Sequence, residues 1–215
     1  MGGIEALSPP PFPERPTSSM SKASRRRKDV MSPQSALARG VLFLRSIGHT
    51  VEYGDTAGGF VQGVRIEEGK LIIDSSTRVS TLLHEAGHIA CILGQYRPML
   101  GTGTAGSDID QQVQRFATDV LDQASSPDDP RVRALIQCSD PEATAWAWAA
   151  GLAAGIPPEL IILDNEYDGE GRDIRMMLSM RCYFGINGLA HAGMTTRSRS
   201  EAACFPKMKR WMQID

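Results

Sequence analysis

Two histidines four residues apart, with a glutamate directly after the first, set out the chemistry open to this chain: His84-Glu85-Ala86-Gly87-His88. On a helix that turns about 100° per residue, His88 lies about 40° round from His84 and Glu85 about 100°. Both imidazoles and the carboxylate then share one side. Imidazole nitrogens are zinc ligands, and a catalytic zinc takes three protein ligands and keeps one position open. Such an ion acidifies a water and polarises a carbonyl while a neighbouring carboxylate takes the proton. On this reading His84 and His88 bind zinc and Glu85 is the general base of a hydrolysis.

The competing reading is a pair of surface histidines on an ordinary amphipathic helix. Leu82, Leu83, Ala86, Ile89, Ala90 and Leu93 make residues 79–93 apolar nearly all round, which marks a buried helix. Buried imidazoles need partners. Ser75, Ser76 and Thr77 stand before the segment as N-cap candidates and Gly94 after it as a stop.

A third protein ligand must come from elsewhere. Glu142 is the first choice, at the start of the small-residue segment Asp140-Pro141-Glu142-Ala143-Thr144-Ala145-Trp146-Ala147, where a second helix could approach closely. Ser139-x-x-Glu142 is also a capping box, in which the glutamate serves only its own helix start. Asp108 and Asp110 rank second as ligands and Asp119 third. His191 and Tyr183 are oxyanion donors by residue type, and more ordinarily a helix-end histidine and a core tyrosine. Trp146 and Trp148 fit a helix interface better than a substrate groove.

The elements that would position these groups follow from periodicity. Residues 35–47 have helical apolar spacing, ended by Gly48. Extended runs at 50–53, 59–66 and 70–74, separated by Gly58-Gly59 and Glu68-Gly69, read as an antiparallel meander. Helices are expected over 109–123, 131–137, 142–154 (stopped by Pro157-Pro158), 172–184 and 202–213, with a loop over 163–171. The fold class is therefore α+β, mostly helical, with a small antiparallel sheet before the metal-binding helix.

Composition bounds the rest. A chain of 215 residues with 41% hydrophobic content can bury a real core, and a net charge of −2 gives no pull toward nucleic acid. The four cysteines are widely spaced, so neither a zinc ribbon nor a disulfide framework is indicated, and a reducing, cytoplasmic setting fits best. Residues 1–32, rich in Pro and Ser with the basic run Arg25-Arg26-Arg27-Lys28, read as a disordered tail on a domain of 33–215. They contain no apolar signal core, and no stretch is apolar enough for a membrane helix.

The 84–88 motif after a short meander, followed by Glu142-Ala143-x-x-Trp146-Ala147 and a proline-terminated helix, resembles the ImmA/IrrE family of bacterial metallopeptidases. Members commonly carry Glu-Ala-x-x-Phe-Ala after the His-Glu-x-x-His helix, with that glutamate on zinc. The resemblance spans roughly residues 35–158. It implies a zincin-like fold and a cytoplasmic zinc endopeptidase whose substrate is a protein, a helix-turn-helix transcriptional repressor. The gap between His88 and Glu142 is longer than the family's, so residues 95–139 would be an insertion. Within it Gln112-Val113-Gln114-Arg115-Phe116-Ala117 echoes the family segment with glutamine in place of glutamate. The wording His-Glu-Ala-Gly-His is also similar, locally, to the peptidase domain of membrane-anchored AAA proteases. The alternative function is a non-catalytic, zinc-stabilised binding or regulatory module of phage or plasmid origin. A fourth side chain closing the tetrahedron, such as Asp108, Asp110 or Cys91, would mark it.

Overall fold

The computed structural model describes residues 31–101, 109–123 and 139–214, with some side chains of 109–123 excepted. Residues 1–30 of the expected tail, the expected 131–137 helix, Asp108 and Cys138 lie outside the described residues, as does the side chain of Asp110.

Helix α1 (Pro33–Ser46) begins where the Ser32 hydroxyl accepts from Ser35 N at 3.1 Å, with proline in its first turn. Ala36, Gly40, Val41 and Leu44 form its buried stripe. Its Arg45 guanidinium donates to the Val51 carbonyl at 3.1 and 2.6 Å, tying the helix to the first strand.

Strands β1 (Val51–Tyr53), β2 (Val64–Glu67) and β3 (Lys70–Ile73) form one sheet in the order β1-β3-β2. β2 and β3 are the expected hairpin. Glu68 and Gly69 both have positive φ, 50° and 74°, as a two-residue type I′ turn requires. The expected antiparallel meander is corrected at β1, which runs parallel to β3 with Val51 opposite Leu71. Residues 54–63 are no tight turn; they fold on themselves through Gly59 N to Thr56 O and carry the chain to the other side of β3. β3 is thereby central, with Leu71, Ile72 and Ile73 apolar and buried after the half-buried Lys70.

Helix α2 (Val79–Cys91) carries the histidine motif. Eleven of its residues are buried, as its all-round apolarity predicts. The expected caps do other work: the Thr77 hydroxyl donates to the Gly63 carbonyl and accepts from Asp74 N, so it pins the strand-to-helix corner. A 3₁₀ turn (Gly94–Met99) and helix α3 (Ile109–Gln123) follow.

Helix α4 (Asp140–Ala153) is buried from Glu142 to Gly151 and packs along α2. Trp146 and Trp148 belong to the core, with the Trp146 indole N–H donating to the Trp211 carbonyl at 2.9 Å. Short α5 (Pro158–Ile161), a 3₁₀ turn (Tyr167–Gly169), α6 (Gly171–Ser179) and α7 (Gly185–His191) follow among the described residues. The predicted 172–184 helix is shorter because the chain turns at Arg181, φ 61°.

The predicted 202–213 helix does not form. Pro206 has no N–H to donate to a helix, and the segment bonds elsewhere, Phe205 N to Thr196 O and Gln213 N to Ala90 O. Trp211 stands edge-on to Phe43 and Trp146 at centroid separations of 5.0 and 5.8 Å. The class is α+β with a mixed sheet. Among the described residues no helix is long and apolar enough to cross a membrane.

His49 follows α1, 5% exposed, with its ring edge-on to Trp146 and, among the described residues, no hydrogen-bond partner for Nε2. Burial, and secondarily the Arg97 charge, lower its pKa from 6.5 to about 4. Between those values the unfolded chain holds the extra proton and the folded chain does not, so stability falls as pH drops from 6.5 toward 4. Chemical denaturation should show about 2 kcal/mol less stability at pH 5 than at pH 7.5 from this group. The His49→Phe variant should lose that part of the slope; an unchanged slope would assign it elsewhere.

Candidate metal centre

The first turn of α4 lies across the middle of α2, and the reason is a missing side chain. A Cβ at Gly87 would stand 2.6 Å from the Ala143 carbonyl oxygen and 2.9 Å from its Cα. Only glycine permits backbones that close. From the other side α7 closes in through Gly185 and Gly188. A Cβ on the first would collide with the Pro141 carbonyl at 1.9 Å, and on the second with the Glu142 carboxylate at 2.2 Å. The turn of residues 139–142 is held between glycines on two helices.

This clamp delivers Asp140 to the histidines. Asp140 Oδ1 lies 3.2 Å from His84 Nε2 and 3.2 Å from His88 Nε2, and the two Nε2 atoms are 3.2 Å apart. Three donor atoms thus make an equilateral triangle. Ligands about 2.0–2.1 Å from a tetrahedral zinc are separated by about 3.3 Å, so the triangle fits one face of such a site. Hydrogen bonds satisfy this arrangement poorly. An ionised carboxylate only accepts, and two imidazoles donating to one oxygen would set their N–H groups against each other. A cation at the convergence would satisfy all three lone pairs. The histidines' hydrogen bonds hold the Asp140 carboxyl well below the usual carboxylate range. Among the described residues His84, His88 and Asp140 are the group able to hold a metal ion.

Glu142, the expected ligand, is not brought to the histidines. On a helix, residues two apart point about 200° apart, so Asp140 and Glu142 cannot both face α2. Glu142 is buried against Gly188, and its carboxylate accepts from the Ser139 hydroxyl. Burial raises its pKa, with the Ser139 bond opposing. The capping box read from Ser139-x-x-Glu142 does not form as such, since the Ser139 side chain caps no backbone N–H; the two side chains bond to each other instead. Asp119 is exposed on α3 and His191 is exposed at the end of α7. Cys91 is buried in the core and does not join the group.

The other ring nitrogen of His84 faces hydroxyls that the sequence did not point to. Its Nδ1 is 3.3 Å from the Tyr167 hydroxyl and 3.4 Å from that of Thr144, which are 2.8 Å from each other. An imidazole whose Nε2 lone pair serves a metal carries its proton on Nδ1, and these oxygens accept it. Tyr167 and Asp168 are both left-handed, φ 55° and 57°, uncommon for a tyrosine. Glu166 fixes that loop, accepting from Ser80 of α2 at 2.6 Å and from Leu163 N at 2.8 Å. Burial pushes the Tyr167 phenol up, so it stays a neutral hydroxyl. Tyr183 is buried and likewise raised by burial.

Glu85 is 8% exposed, and among the described residues no group hydrogen-bonds its carboxylate. It lines a cleft of about 220 Å³ together with His84, Tyr167, Val61, Ala147 and Ile161. Glu85 and His84 therefore open on the same largely apolar hollow.

No protein-family model, curated protein or solved structure matches the chain.

Gly87→Ala should weaken zinc binding at least tenfold in competition with a chromophoric chelator. The added methyl must move the α4 turn, which outweighs the roughly 1 kcal/mol that helix propensity would give. Wild-type affinity in this variant would show that the close approach does not set the site. Removing both hydroxyls, Thr144→Val with Tyr167→Phe, should cost about 10-fold to 100-fold in zinc affinity.

Proposed function

We propose that this chain is a zinc-dependent peptidase in which His84, His88 and Asp140 hold the metal and Glu85 is the general base. The observation that carries the reading is the 3.2 Å triangle of donor atoms beside Glu85, whose carboxylate has no hydrogen-bond partner among the described residues, in a cleft. The ion, when bound, supplies Lewis acidity to a water and a substrate carbonyl. Glu85 takes a proton from the water and can return it to the leaving amine, the two-way duty of a general base that is not otherwise engaged. Thr144 and Tyr167 keep the His84 ring in one orientation and tautomer. Val61, Ala147 and Ile161 favour an apolar substrate side chain beside the cut.

Helix, small sheet and a metal-binding helix also suit a zincin-like scaffold. The resemblance to the ImmA/IrrE metallopeptidases extends the proposal to a cytoplasmic protein substrate such as a helix-turn-helix repressor. Here an aspartate two residues before that family's glutamate takes its place at the ion.

Elemental analysis should find one zinc per chain in wild type, none in Asp140→Ala, and one in Glu142→Ala. Retention in Asp140→Ala with loss in Glu142→Ala would return the role to Glu142. Glu85→Gln should keep its zinc and lose hydrolysis of a casein or peptide-library substrate by at least 10³-fold; an active Glu85→Gln chain would rule out the mechanism.

A further inference from the structure

Away from the metal centre, α6 ends in an unusual way. Arg181 N bonds to Leu178 O at 3.1 Å and Cys182 N to Met177 O at 2.9 Å, the paired bonds of a helix stop whose left-handed residue is usually glycine. Here that residue is an arginine at φ 61°. Glycine would relax the backbone there, so the guanidinium is what the position gains.

That guanidinium borders a cavity of about 110 Å³ lined also by Arg197 and Arg199 and, on its apolar side, by Ile186 and Phe205. Arg181 is oriented by Nη1 donating to the buried Cys204 sulfur at 3.2 Å, and Arg197 by donating to Asn187 Oδ1. Among the described residues none of the three arginines has a carboxylate partner. Glu201, close by in sequence, is already engaged by Lys209 and Thr196, each at 3.0 Å. Three permanent positive charges around one hollow repel one another, and each guanidinium retains N–H donors beyond the bond that aims it. At roughly 30 Å³ per water the hollow holds about four waters, well short of the 300 Å³ or more of a drug-sized site. A compact anion with several acceptor oxygens meets both the charge and the size.

We propose that Arg181, Arg197 and Arg199 form a binding site for a phosphate-sized tetrahedral oxyanion, separate from the metal centre. The anion joins the end of α6 to the 197–205 segment through charge-assisted bonds from residues 16 and 18 positions apart along the chain. Its source is either free phosphate or the phosphoryl group of a small monoester, whose remainder would leave past the exposed Arg197 and Arg199.

The test is isothermal titration of the full chain with inorganic phosphate and with O-phosphoserine at constant ionic strength, with chloride as the control. Wild type should bind phosphate saturably at one site. Arg181→Gly should keep or raise the melting temperature, because glycine suits the turn, while binding phosphate at least tenfold more weakly. The double variant Arg197→Gln, Arg199→Gln should lose binding similarly, and Asp140→Ala should bind as wild type does. Binding of O-phosphoserine as well as phosphate identifies an open, ester-accepting site; binding of phosphate alone identifies the free anion. Wild-type affinity in Arg181→Gly, an equal response to chloride, or loss of binding in Asp140→Ala would each overturn the assignment.

Discussion

The contact between Gly87 and Ala143 governs this structure more than any other. It lets the backbone of α4 rest on α2 at a distance no side chain would allow, and the triangle of His84, His88 and Asp140 takes its shape from that approach. Had residue 87 a methyl group, the α4 turn would stand off and Asp140 would retreat from both imidazoles. The helix macrodipole acts in the same direction. Asp140 is the first residue of α4, where exposed N–H groups favour an anionic side chain, so the carboxylate is stabilised as the ionised form a metal requires.

Around this contact the site is arranged in two directions. On the cleft stand Glu85, His84 and Tyr167; at His84 Nδ1 stand the paired hydroxyls of Thr144 and Tyr167. The left-handed backbone at Tyr167 and Asp168 is strain that the surroundings must hold, of order 1–3 kcal/mol per residue. Glu166, bonded to Ser80 one turn before His84, connects that strained loop to the motif helix itself. The polar architecture thus closes a circuit from α2 through the loop to α4 and back to α2.

How much of this was legible from sequence depends on how local each signal is. The motif helix, the buried tryptophan helix and the hairpin turn at Glu68-Gly69 are written in periodicity and turn chemistry, and the structure has them. The partner of β1 is not, because β3 is apolar on both faces and accepts a parallel or an antiparallel neighbour equally by pattern. The 202–213 stretch has helical composition, but Pro206 and bonds to residues far away decide its course. The third member of the donor triangle was within two residues of the expected one. The string Ser139-Asp140-Pro141-Glu142 offered two carboxylates, and the serine three residues before the glutamate was the clue that Glu142 was spoken for. Tyr167 had no sequence signal, since its role exists only after a loop has turned back over His84.

The bonds made by residues 211–213 bear on how the chain matures. The indole of Trp146 finds its acceptor 65 residues later, and the Ala90 carbonyl meets its donor on Gln213. At roughly 5–20 residues per second of synthesis, α4 waits about 3 to 13 s with that N–H unanswered. During translation the two central helices can collapse early, yet their interior gains its last polar partners only when the strap across them has emerged. A nascent chain stalled before Trp211 would carry a core that is assembled but unsealed.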